Sequence, residues 1–158
     1  MGIVPASDHI SIINKKVAVF QARLEDAMLY SLKYLGEELV RYARDKHNYT
    51  DRTGNLTNSI SYAIVRNSKL DYYSGSNQPN EGAEASLQVA MKMAAKMPEA
   101  FSLIVVAGMN YAAYVEAKGY NVILPAELKA KKDFPAMMAG LVAKARDKAN
   151  EFFGGVGL

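Results

Sequence analysis

The sequence predicts an α+β fold: a long N-terminal helix and a C-terminal helix packed on a small, mainly antiparallel sheet of roughly three to five strands, with a helical insertion. Three observations predict it. Apolar residues recur every three or four positions from Asn14 to about His47, side chains alternate through Ile60–Val65, and Phe101–Ala107 is apolar on both alternating faces. With 158 residues, half of them hydrophobic, the chain can build one domain with a real core, and a single unit spanning 1–158 is expected.

The first helix is expected over 14–47. Its stripe is Val17, Phe20, Leu24, Met28, Leu32, Leu35, Leu39 and Tyr42, while Lys16, Arg23, Asp26, Lys33, Glu37, Arg41 and Arg44 fall mainly off it. Such a helix would run roughly 50 Å, longer than a small core needs, so part of it is expected to project or meet a neighbour. Gly36 is a point where it could bend.

A turn-rich break at Asn48–Gly54 precedes a hairpin over 60–73, with Asn67 and Ser68 at its tip and Leu70 and Tyr72 on one face of the returning strand. A polar loop containing Gly75, Pro79 and Gly82 leads to a helix at Glu84–Met97, with Leu87, Ala90, Met91 and Ala94 on one face and Pro98 as its stop. The whole of 74–99 reads as an insertion that a short loop could replace. Phe101–Ala107 should be the central strand. Over 101–124, Gly108 ends that strand, Asn110 caps a short helix from Tyr111 to Lys118, Gly119 stops it, and a strand at Tyr120–Leu124 follows. The last helix is expected over 134–153, with Gly154, Gly155 and Gly157 as a tail lacking the Lys of a phosphate loop.

Composition argues against catalysis. There is no Cys, so disulfides, thiolate metal sites and thiol nucleophiles are out; His9 and His47 are far apart and lack ligand-spaced partners. The pairs Glu25/Asp26 and Glu37/Glu38 point about 100° apart around a helix and do not converge as acid and base. Ser59 and Ser61 lack elbow glycines. The chain is therefore expected to be no enzyme and to use no cofactor or metal. Charges interrupt every apolar run, so no membrane partner is expected; Asp8 and His9 break any leader-like start, and synthesis in the cytoplasm fits. A net charge of +3 is too mild to indicate specific nucleic acid, and Asp133 and Asp147 interleave with Lys129, Lys131, Lys132, Lys144, Arg146 and Lys148. The eight Met, among them Met91, Met93, Met97, Met137 and Met138, suit core filling or an adaptable protein interface.

Two short stretches are more distinctive. The first is Asp51-Arg52-Thr53-Gly54-Asn55-Leu56-Thr57-Asn58-Ser59-Ile60, in which Gly54 can turn the chain while Thr53 or Asp51 caps a helical turn leading into Ile60. The second is Val106-Ala107-Gly108-Met109-Asn110-Tyr111-Ala112-Ala113-Tyr114-Val115-Glu116. There Tyr111, Tyr114 and Val115 would line one side of a helical turn against the sheet, and Glu116 would either be exposed or pair with Arg52.

In order and spacing these stretches resemble the minor tail component family of tailed bacteriophages, also described as tail-completion or neck proteins. In that family a Thr-Gly-x-Leu turn and a Ser-Ile strand start follow a long helix, and a Tyr-Ala-x-Tyr-Val-Glu segment with a later glycine follows a strand. Here Thr53, Gly54, Leu56, Ser59, Ile60, Tyr111, Ala112, Tyr114, Val115, Glu116 and Gly119 match, over a span from Asn14 to about Leu124. Thr57 departs from the basic residue the family often carries, and Ala117-Lys118 set Gly119 later than in the common short form. The resemblance implies a structural phage or prophage protein at the head-tail junction. It would assemble as a ring homo-oligomer and contact connector and tail tube proteins, first in the host cytoplasm and then in the virion. A nucleic-acid-binding module of mobile-element origin and a small hydrolase are the other classes considered.

Overall fold

A computed structural model describes residues 6–78 and 80–154. The first five residues, Pro79 and the tail residues Gly155 and Gly157 lie outside the described residues. The fold is α+β. Its elements are α1 (Ala6–Asp45), α2 (Asn55–Asn58), β1 (Ile60–Arg66), β2 (Lys69–Ser74), α3 (Glu81–Ala94), β3 (Phe101–Ala107), α4 (Ala112–Ala117) and α5 (Leu124–Phe153). Contacts divide the chain into two compact units, one of Met1–Ser31 with Pro135–Leu158 and one of Leu32–Phe134.

The larger unit is built around β1. The sheet has the order β2-β1-β3, and both pairings are antiparallel. The expectation that Phe101–Ala107 is the central strand is thus corrected: β3 is an edge, because 120–123 forms an irregular link with a bend at 122–123 and not a strand beside it. β1 is central instead. Ile60, Tyr62 and Ile64 alternate with Ser61, Ala63 and Val65, and all six are buried. Its alternation, which resembles a half-exposed strand, arises because one covered face carries small side chains.

The C-terminal part of α1 covers the face bearing Tyr62. Leu32, Leu35, Leu39, Val40 and Ala43 are buried there, each large side chain contributing roughly 1.5–3 kcal/mol of burial. Gly36 marks a close approach: its Cα packs against the Tyr62 ring, and a Cβ would fall on Cδ2 and Cε2. The Tyr62 hydroxyl donates to Glu37 Oε1 at 2.8 Å, and Arg44 Nη2 donates to the Ile60 carbonyl at 2.6 Å. Helix and strand are therefore locked in register by both packing and polar contacts.

The opposite face is covered by α3, which begins at an Asn80 cap accepting from the Ala83 amide and presents Gly82, Ser86, Ala90 and Ala94 at intervals of four. This small-residue stripe keeps Ala90 and Ala94 of the expected face and corrects the other two: Leu87 is half-buried and Met91 is exposed. A helix with small inward side chains can approach the small face of β1 closely. Ser86 is fully buried, with its hydroxyl against those of Ser61 and Tyr73, and Ala63, Ala90 and Val106 form a buried cluster beside it. The insertion is thus one layer of the fold, not an appendage that a short loop could replace.

The hairpin turn falls at Asn67 and Ser68, both with positive φ, as a two-residue turn requires. Leu70 and Tyr72 do not share a face as the alternation suggests. The register slips between Ile64 and Val65, leaving Asp71 unmatched, so Leu70 and Tyr73 meet the α3 side while Tyr72 stacks near Tyr62 with rings 5.9 Å apart.

Helix boundaries are also corrected: α3 runs from Glu81 to Ala94 and not from Glu84 to Met97. α1 starts at Ala6 and not at Asn14, because Ile10 and Ile13 continue its apolar spacing. α5 starts at Leu124 and not at Phe134; Pro125 suits its first turn, whereas Pro135, which invites reading as a helix start, lies inside it. In the smaller unit, Phe20 meets Phe152 and Phe153 at 6.5 and 5.6 Å between ring centroids, and Arg23 lies over the Phe152 ring. Of the described residues, no helix is long and apolar enough to cross a membrane.

Candidate functional site

The two motif stretches meet at one end of the sheet. In the first, Gly54 adopts φ of 73°, and of the two alternatives for the cap, Thr53 or Asp51, both accept: Asp51 Oδ2 from the Thr57 amide at 2.7 Å and Thr53 Oγ1 from the Asn55 amide at 3.2 Å. These bonds hold α2 so that Leu56 points inward and is buried. Ser59 is buried as well, and its hydroxyl donates to the Leu56 carbonyl at 2.7 Å. That hydroxyl is spent on the backbone. Arg52 is exposed.

The stretches are joined by main chain. The Gly108 amide donates to the Ser59 carbonyl at 3.1 Å, one step beyond the Ile60–Ala107 pair of β1 and β3. From Gly108 the chain turns into α4. Its N-cap position is Tyr111 with no side-chain cap bond, so Asn110 does not cap it. Gly119 ends the helix with φ of 90°, donating to the Glu116 carbonyl at 3.0 Å, while the Tyr120 amide reaches back to Val115.

Leu56, Ala112, Val122 and Tyr49 form a buried cluster, with Ala107, Met109, Val115 and Ile123 packed around it. Tyr49 and Val122 carry this junction without standing out in the sequence. A tyrosine in a turn-rich break and a valine in a short apolar stretch give no periodic signal. The Tyr49 hydroxyl lies 3.2 Å from Thr57 Oγ1, and burial pushes its phenol above the usual range, with Asp51, Tyr111 and Glu116 adding negative field. His47 is exposed and stacks on Tyr49 with ring centroids 4.7 Å apart.

Glu116 neither stands free nor pairs with Arg52. Its carboxylate accepts from the amides of Val122, Ile123 and Leu124, the last at 2.6 Å, and so caps the entry to α5. The link is fixed on its other side by Asn48, whose side-chain oxygen accepts from the Asn121 amide at 2.6 Å.

The tyrosines of the second stretch face outward, against expectation. Tyr114 is 62% exposed and Tyr111 39%, while Ala112 and Val115 take the inward positions. Burial of part of the Tyr111 ring, together with Asp51 and Glu81, raises its phenol above the ordinary value. Tyr120, Leu124 and Leu128 add further exposed apolar surface. Lys118 lies over the Tyr114 ring at 4.7 Å. Among the described residues, no three of His, Asp and Glu gather as a metal-ligand set.

No protein-family model, curated protein or solved structure matches the chain.

Proposed function

We propose that this chain is a structural subunit of a tailed bacteriophage or prophage, acting at the head-tail junction by assembly with itself and with connector and tail tube proteins. The observation that carries the reading is the convergence of the two resemblance-bearing stretches into one junction whose polar groups hold backbone. Asp51, Thr53, Ser59 and Glu116 all accept from or donate to main-chain atoms. Residues spent this way specify a shape. What the shape presents is aromatic and apolar: Tyr111, Tyr114, Tyr120 and Leu124, side chains of the kind enriched in protein interfaces. A rigid scaffold carrying exposed tyrosines supports a role in contact, and a ring follows where identical subunits meet head to tail and must close around a tube.

The test is a Tyr111→Ser/Tyr114→Ser double variant introduced into the phage or prophage that carries the gene. The purified variant is expected to stay folded with a loss of roughly 1–2 kcal/mol, since Tyr114 is mostly exposed but part of the Tyr111 ring is buried. Its lysates are expected to hold fewer joined particles. Parental yields of joined particles would remove this face from the proposal.

A further inference from the structure

In the smaller unit, α1 carries a heptad pattern that outruns its own covering helix. Ile10, Val17 and Leu24 alternate with Ile13, Phe20 and Ala27 at steps of three and four. α5 reaches this stripe at Phe20, where Phe152 and Phe153 pack, and it ends at Phe153. Ahead of that point Ile10 is 59% exposed and Ile13 and Val17 each 39%. The stripe then runs into a groove of about 390 Å³ between the helices, walled by Phe20, Leu24 and Ala27 on α1 and by Leu141, Ala145 and Phe152 on α5.

We infer that this stripe and groove are a self-association surface, filled by the same stretch of α1 from a second copy of the chain running parallel to it. The composition and flanks select that occupant. Ile10, Ile13 and Val17 are β-branched, the side chains that pack as stiff knobs in parallel coils although they lower helix propensity. Flanking the stripe on one side are His9, Lys16 and Arg23, and on the other Asn14 and Gln21. Parallel copies set Lys16 beside Gln21 and His9 beside Asn14, with no clash of like charge. Antiparallel copies would set the basic flank against itself. The regular heptad favours a helix as occupant over a lipid surface, which requires an apolar face but no such register.

The inference rests on the self-assembly proposed above and adds to it a two-fold pairing contact, separate from the head-to-tail contacts that close a ring. Because the chain contains no Cys, single-cysteine probes report cleanly. Full-length Val17→Cys is expected to form a disulfide-linked dimer on mild oxidation, while Ala22→Cys, on the exposed opposite side of the helix, stays unlinked. Sedimentation should give an oligomer for the parent and a shift to monomer mass for Ile13→Lys. A monomeric parent, equal linkage at the two positions, or a chain that binds anionic phospholipid vesicles as a monomer would each overturn it. Failure here with separated heads and tails in a null phage would sink the surface alone; linkage here with normal particles in the null would sink the junction role alone.

Discussion

The Glu116 carboxylate in α4 holds the amide of Leu124, the first residue of α5, at 2.6 Å. A side chain eight residues upstream thus does the work of a helix cap. It also accepts from Val122 and Ile123, so the link between the helices is organised by one carboxylate.

Glu116→Ala should therefore destabilise the fold by about 1–2 kcal/mol, the cost of a lost cap and of amides left without a partner. Glu116→Gln keeps one acceptor oxygen and should lose less. Urea melts would decide, and an alanine variant with the parental midpoint would contradict this account of the link.

Gly36 and Gly140 lie in helices but should respond in opposite ways to alanine. At Gly36 the added Cβ meets the Tyr62 ring, and overpacking should cost roughly 1–3 kcal/mol despite the better helix propensity. At Gly140 nothing lies within 4 Å, so alanine should stabilise by roughly 0.5–1 kcal/mol. Thermal melts of the two variants test the close approach of α1 to β1; a Gly36→Ala protein at least as stable as the parent would refute it.

Ser86 ties α3 to the sheet. Ser86→Ala should cost about 1–3 kcal/mol by leaving the buried Ser61 hydroxyl and that of Tyr73 short of a partner. Adding Ser61→Ala should cost less than the sum of the singles, because the two hydroxyls belong to one contact. Additive losses in denaturant titrations would count against the network. Deleting 75–98 should unfold the chain, since that removes the cover of one face of β1.

The fold class, the hairpin tip and the helical character of both ends were legible because periodicity and turn chemistry are local. Asn67-Ser68, Gly54 and Gly119 all adopt the positive φ that their turn positions suggest. Strand order was not legible, since an apolar run such as Phe101–Ala107 reads alike at a sheet edge and at its centre. The face of α3 was legible only at Ala90 and Ala94; close approach selects Gly82 and Ser86 over the larger Leu87 and Met91. At the candidate site, the caps of the first stretch follow from Asp51 and Thr53, but the destination of Glu116 depends on a loop returning to it. Tyr111 and Tyr114 were turned the wrong way because aromatic rings suggest burial, while the smaller Ala112 and Val115 fit the cluster around Leu56 and Val122.

The most direct test of the proposed role is electron microscopy of lysates from a phage or induced prophage carrying an early stop codon in this gene. DNA-filled heads and separate, complete tails are the expected products, because a joining subunit is needed after each half has been built. Joined particles in normal numbers, or arrest before DNA is packaged, would contradict the head-tail assignment.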